Sequence, residues 1–203
     1  MSRTTWRVAL AVPPELGIRG DHTRDRELVE LDEQHVDGVL DAIEDDRRTP
    51  PGDGLVVVDV VRDRIYRATL GRGAWVGETR LHTSDVRTLD RALCATGFPY
   101  DASKSAYHLR FVQSFLERTQ GIRRAGAASL DLAMVAAGAI DLYWEFDLRP
   151  WDVCAGTVLV REAGGRVSRI PGRDTADPAC PIATNPWLHD EVVALIATNL
   201  EAE

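Results

Sequence analysis

Three short stretches between Gly126 and Gly165 carry residue types that could do chemistry. Gly126-Ala127-Ala128-Ser129 is a small-residue turn leading into an apolar segment, and Pro150-Trp151-Asp152 opens the run Val153–Glu162, which Gly164-Gly165 ends. Both read as helix starts. A helix N-terminus exposes backbone N–H groups without partners and the positive end of the dipole, so two of them facing one cleft form a place for an anion. Between them lies Glu145, a carboxylate flanked by Tyr143, Trp144 and Phe146. Such a group sits either at a strand end in solvent or in place for a ligand. Asp152 equally suits plain helix capping, worth about 0.5–2 kcal/mol, and the glycine–alanine stretch equally suits a close-packed turn.

The elements that must position these residues follow from periodicity. Trp6–Val12 reads as a strand stopped by Pro13-Pro14. Residues 24–46 place Leu28, Leu31, Val36, Val39, Leu40 and Ile43 on one face of a helix whose other face is acidic. Thr49–Gly54 is a loop by composition and the clearest boundary in the chain. Leu55–Val61 and Ile65–Leu70 are β-branched runs joined by the polar turn Arg62-Asp63-Arg64, which predicts a hairpin. Further strands are expected at Leu93–Thr96, Asp141–Glu145, Val167–Ile170 and Ile182–Thr184. Helices are expected from Asp101 or Ser103 to about Gln120, over Leu130–Ala139, over Val153–Glu162 and over Pro186–Leu200. The first of these carries Leu109, Val112, Phe115 and Leu116 on its apolar side. The second has Ala133, Ala136 and Ala137, small enough for close packing. Alternation of strands and helices after residue 55 argues for an α/β or layered α+β domain.

Composition narrows the partners. The 203 residues suit one domain with a substantial core, and the net charge is −8. From Asp21 to Asp46 there are eleven Asp or Glu against two Arg, which leaves the remainder of the chain close to neutral. That balance speaks against nucleic acid, which needs clustered Lys and Arg. Cys94, Cys154 and Cys180 lack the spacing of a disulfide framework or zinc site and suit a reducing compartment. No apolar run reaches the roughly 20 residues that span a bilayer. A cytoplasmic protein without membrane partners is expected.

In their joint order these elements resemble the C-terminal signature of the inositol monophosphatase family: Gly126-Ala127-Ala128, then Asp141-Leu142-Tyr143-Trp144-Glu145, then Pro150-Trp151-Asp152 through Glu162-Ala163-Gly164-Gly165. The paired strands of residues 57–76, the stretch Ala92–Asp101 and the stretch Ala183–Ile196 stand in the matching order. The resemblance covers the chain from Leu55 onward. It implies a layered α/β sugar-phosphatase fold, truncated or rebuilt at the N-terminus, and Mg2+-dependent hydrolysis of a phosphomonoester of inositol, a related sugar or a nucleotide. It further implies Asp152 as a metal ligand, Glu145 as a partner of substrate hydroxyls, and the backbone at Gly126, Ala127 and Ala128 as a substrate or phosphate contact. Ala127 stands where the family often carries Thr or Ser, so a hydroxyl contact is absent there.

The family's G-E-E and D-P-[IL]-D-G-T elements, which hold further metals and position the attacking water, have no match. The nearest echo is Gln34-His35-Val36-Asp37-Gly38-Val39. One aspartate does not hold a multi-metal cluster, so weak Mg2+ binding is expected, and no catalytic residue is assigned. Residues 1–54 read as a divergent acidic N-terminal segment and 55–203 as the family-like domain. Unless residues 1–54 or a second copy cover it, an apolar face or strand edge is expected to be exposed, which favours a homodimer. The competing expectation is a catalytically inactive relative serving as a polyol- or anion-binding or oligomerisation module.

Overall fold

The computed structural model describes residues 6–11, 54–59, 61–99, 101–171 and 180–201. The expected acidic helix, the expected loop up to Asp53 and the Gln34–Val39 echo lie outside these.

The first sheet has the order β1 (Trp6–Ala11), β2 (Gly54–Asp59), β3 (Arg64–Thr69), β4 (Gly73–Val76), β5 (Thr79–Arg80). The predicted hairpin is β2–β3. Its turn is fastened by the buried Asp59 carboxylate, which accepts from the Arg62 backbone N–H at 3.1 Å and its guanidinium at 2.9 Å. β1 joins parallel to β2, with Trp6 opposite Gly54 and Ala11 opposite Asp59.

The second sheet is ordered β7 (Gly121–Arg123), β6 (Leu93–Thr96), β8 (Leu142–Trp144), β10 (Pro181–Thr184), β9 (Arg166–Arg169). β6 pairs parallel with β7 and β8, and β10 pairs antiparallel with β8 and β9. Four helices complete the fold: α1 (Ser105–Arg118), α2 (Ala128–Ala136), α3 (Pro150–Glu162) and α4 (His189–Glu201).

Strand alternation builds the layers. Ala95, Tyr143 and Ala183 leave one face of the second sheet and share a core with α2, α3 and Val57, Tyr66, Ala68 and Ala74 of the first sheet. Cys94, Leu142, Trp144 and Ile182 leave the opposite face, toward Phe111 and Phe115 of α1 and Val192 and Ile196 of α4. The order is thus sheet, helix pair, sheet, helix pair. The middle helix α2 is buried nearly all round, as its apolar sequence requires. It meets α3 closely: a Cβ at Gly156 would run into the Leu132 side chain. Of the small residues expected to pack closely, Ala133 and Ala136 are fully buried in this core and Ala137 packs partly buried against it.

One expectation needs correcting. The buried face of α1 is His108, Phe111 and Phe115, while Leu109 and Leu116 are 54% and 55% exposed. Phe111 and Phe115 pack on Trp144, with ring centroids 5.8 and 5.2 Å apart. Aromatic rings bury more area than leucine and have preferred pair geometries, so they set the helix's rotation and turn the two leucines outward. Val61, Leu70 and Trp187 are exposed as well. Among the described residues no helix is long and apolar enough to cross a membrane.

Candidate functional site

The site grows from the ends of two strands and the starts of two helices. β6 ends at Thr96 and β8, its parallel neighbour, at Trp144, so Gly97 and Glu145 leave the sheet side by side. A Cβ at Gly97 would land on the Glu145 carboxyl group, so glycine is required for that carboxylate to lie against the backbone. Thr96 ties the pair of strand ends, its hydroxyl donating to the Trp144 carbonyl at 2.7 Å. Trp144 and Phe146 turn away into the α1 layer. Tyr143, two residues before Glu145 and on the same face, donates its hydroxyl to Glu145 Oε2 at 2.5 Å. Of the two sequence readings of Glu145, a strand end in solvent or a place for a ligand, the first does not describe it. The carboxylate is half-buried and held.

Asp141 positions the strand that carries it. Its carboxylate accepts from the Leu93 N–H at 2.5 Å, and its backbone N–H bonds the Leu93 carbonyl at 3.0 Å, fastening the start of β6 beside β8. Glu162, at the far end of α3, accepts from the N–H groups of Gly71 and Gly73 at 2.8 Å each and ties the central layer to the first sheet.

Gly126, at φ +91°, makes the sharp entry to α2 that a residue with a Cβ disfavours. Ala127 is the N-cap and offers no side-chain acceptor, so the first N–H groups of α2 have no side-chain cap. Ala128 begins the helix. At α3 the residue expected as cap is displaced. Arg149 is the N-cap, Pro150 takes the first helical position, where its missing N–H costs nothing, and Asp152 falls three residues into the helix. Asp152 Oδ2 accepts from the Arg149 N–H at 2.8 Å, so it still serves the helix end, reaching back as the acidic residue of a capping box does.

Sequence reading passed over one member of this group. Asp131, in the first turn of α2, is 1% exposed, and its Oδ1 has no hydrogen-bond partner. The signal was available: a lone acid inside Ala128–Ala136, an otherwise apolar run. Burial and the neighbouring Glu145 push the Asp131 carboxyl up to about 7, against the pull of Arg124. Burial likewise pushes Glu145 up to about 7, opposed by the Tyr143 hydrogen bond and reinforced by Asp152. Asp152 is raised by burial, and the Tyr143 hydroxyl is raised by burial and by Glu145. The α2 start, Glu145 and Asp152 therefore share one electrostatic neighbourhood, with the exposed Arg124 as a cation acting on it.

That neighbourhood can accept hydrogen bonds from hydroxyl groups at Glu145 and receive an anion at the α2 start. Among the described residues no group of three or more His, Cys, Asp or Glu side chains could hold a metal ion. Asp152 is a hard oxygen donor whose Oδ2 is already engaged by the Arg149 N–H.

The comparisons agree with the architecture. A model of the inositol monophosphatase family matches residues 55–201. The chain belongs to that family, whose members are phosphatase-type hydrolases and as a class metal-dependent. Among individual relatives, it is 48% identical over 120 residues to the Nus factor SuhB of Pseudomonas aeruginosa, a match covering 58% of this chain and 44% of that one. The Nus factor SuhB of Escherichia coli K12 is 46% identical over 118 residues, with the same shares of 58% and 44%. A solved inositol monophosphatase from Anabaena (Nostoc) superposes with a TM-score of 0.67 at 35% identity, covering 73% of this chain and 60% of that one. The SuhB structure from Bartonella henselae gives 0.65 at 34% identity, covering 70% and 55%. The chain spans about half the length of the curated relatives it matches.

Proposed function

We propose that this chain carries the substrate-side half of a phosphomonoesterase site, acting in the cytoplasm on a small phosphorylated polyol or sugar. The observation that carries the reading is the held carboxylate of Glu145, seated against Gly97 and the Tyr143 hydroxyl in the electrostatic neighbourhood of the α2 start. In this reading Glu145 accepts hydrogen bonds from ring hydroxyls. The N–H groups beginning at Gly126, Ala127 and Ala128 receive the phosphate or an adjoining oxygen, and Asp152 contributes one oxygen toward Mg2+. Hydrolysis itself needs carboxylates beyond the described residues, supplied by the acidic segment or by a second copy in a homodimer. Phosphate release from inositol 1-phosphate and a panel of sugar phosphates, at millimolar Mg2+, tests this. Turnover that collapses in Glu145→Gln and in Asp152→Asn supports it; no turnover on any of these substrates sinks the enzymatic part.

A second reading is favoured by the missing metal cluster among the described residues. The fold then serves as a binding or oligomerisation module, in line with relatives named Nus factor SuhB. It predicts ligand-induced stabilisation without turnover, and fails if Glu145→Gln and Asp152→Asn leave every ligand response unchanged.

A further inference from the structure

We propose that Asp131 is a positioning residue that holds a proton for Glu145, leaving that strand end with one negative charge so that an anionic ligand can approach the start of α2. The inference rests on the polyol-phosphate reading of that site. The Asp131 and Glu145 carboxyl groups act on each other electrostatically across the packing of α2 on the second sheet, and their surroundings differ in what they offer an anion. Glu145 has the Tyr143 hydroxyl donating to it and is half-buried. Asp131 is 1% exposed, and its Oδ1 receives nothing. A buried ionised carboxylate needs donors on its oxygens, whereas a protonated one needs far less, so the proton of the pair belongs on Asp131 and the charge on Glu145.

The other groups around Asp131 do not reverse this. On α2 itself its companions are apolar apart from the buried Ser129. Arg124, on the approach to the helix, attracts it but is exposed and screened by water. Tyr143 of β8 and Glu145 just past its end act on it electrostatically, and Tyr143 donates its proton to Glu145. From α3, Asp152 acts on Glu145 and Tyr143, adding further negative potential. Were Asp131 to ionise as well, a second buried negative charge would stand one turn inside the helix start that receives the ligand's phosphate. Asp131 touches no ligand in this scheme. It acts through the charge of its neighbour.

Carbon-13 spectra of aspartate-labelled protein separate Asp131 from Glu145. At pH 6 one aspartate carboxyl is expected at the position of a protonated acid, and that signal should vanish in Asp131→Asn. Because the wild-type spectrum already shows whether any aspartate holds a proton, the test survives a variant that folds poorly. The second arm measures affinity for inositol 1-phosphate from pH 6 to 9. The ratio of the Asn variant's affinity to the wild type's should rise about tenfold per pH unit once Asp131 ionises, since only the protonated fraction is competent. The inference is overturned if every aspartate is ionised at pH 6, or if the two pH profiles superimpose. If the wild type does not respond to inositol 1-phosphate at any pH, the polyol-phosphate reading falls, and the labelled spectrum alone decides where the proton sits.

Discussion

Replacing Glu145 by glutamine should stabilise this protein at alkaline pH while removing its ligand response. Burial moves the Glu145 carboxyl from the ordinary glutamate value of 4.5 up to about 7. At about 1.4 kcal/mol per pH unit, ionising it in place costs up to about 3.5 kcal/mol relative to the unfolded chain. Half-burial brings the expected figure to about 1–3 kcal/mol. The sign follows from proton counts. Between pH 4.5 and about 7 the folded chain keeps a proton that the unfolded chain has released, so the free energy of unfolding falls as pH rises through that window and levels off above it. Glutamine is neutral throughout and still offers the Tyr143 hydroxyl an acceptor. Its advantage over the wild type should be close to nil near pH 4 and grow to about 1–3 kcal/mol at pH 8. Losing the Glu145 charge also relieves Asp131, which pushes in the same direction. Urea unfolding at pH 4.5, 6 and 8 reads the difference directly. An advantage independent of pH, or a deficit at pH 8, would refute the reasoning. If Glu145 accepts from ring hydroxyls as proposed, the same variant should also lose stabilisation by inositol 1-phosphate.

Three other outcomes are expected. Glu162→Ala removes both acceptors of the Gly71 and Gly73 N–H groups; at about 2 kcal/mol for two partly exposed bonds, calorimetry should show Tm lower by about 4–8 °C, and a shift under about 1 °C would rule out the clamp. Gly97→Ala places a methyl group on the Glu145 carboxyl, so ligand response should disappear while far-UV circular dichroism stays native; an unaltered ligand response would show that Glu145 is not held where the structure has it. His189 sits between the Thr184 and Ser168 hydroxyls at 3.0 Å each, and burial lowers its pKa below 6.5. The unfolded chain then takes up the proton first, so stability should fall as pH drops below 6.5, and His189→Gln should flatten that limb of the unfolding curve.

Much of the fold was legible in the residues alone, wherever the decisive contacts are local. β-branched runs bounded by glycine and polar turns placed β2, β3, β6 and β10 within a residue or two, because strand alternation and turn chemistry act over a few positions. The glycine–alanine turn, the Tyr143–Glu145 pair and Pro150-Trp151-Asp152 could be found for the same reason. Rotation of α1 could not. Leu109 and Leu116 fit a helical stripe as well as Phe111 and Phe115 do, and only the position of Trp144 on the neighbouring sheet chose between them.

The sequence by itself therefore determined the type and order of the elements and which residues could do chemistry. Tertiary structure decided the charge those residues carry and what they lie against. Asp131 and Glu145 are fourteen positions apart, and Gly97 is forty-eight from Glu145. Their coupling exists only because β6 and β8 run parallel and α2 is buried between two sheets. Desolvation and Coulomb repulsion depend on distance in space and exclusion of water, neither of which a residue's neighbours in the chain specify.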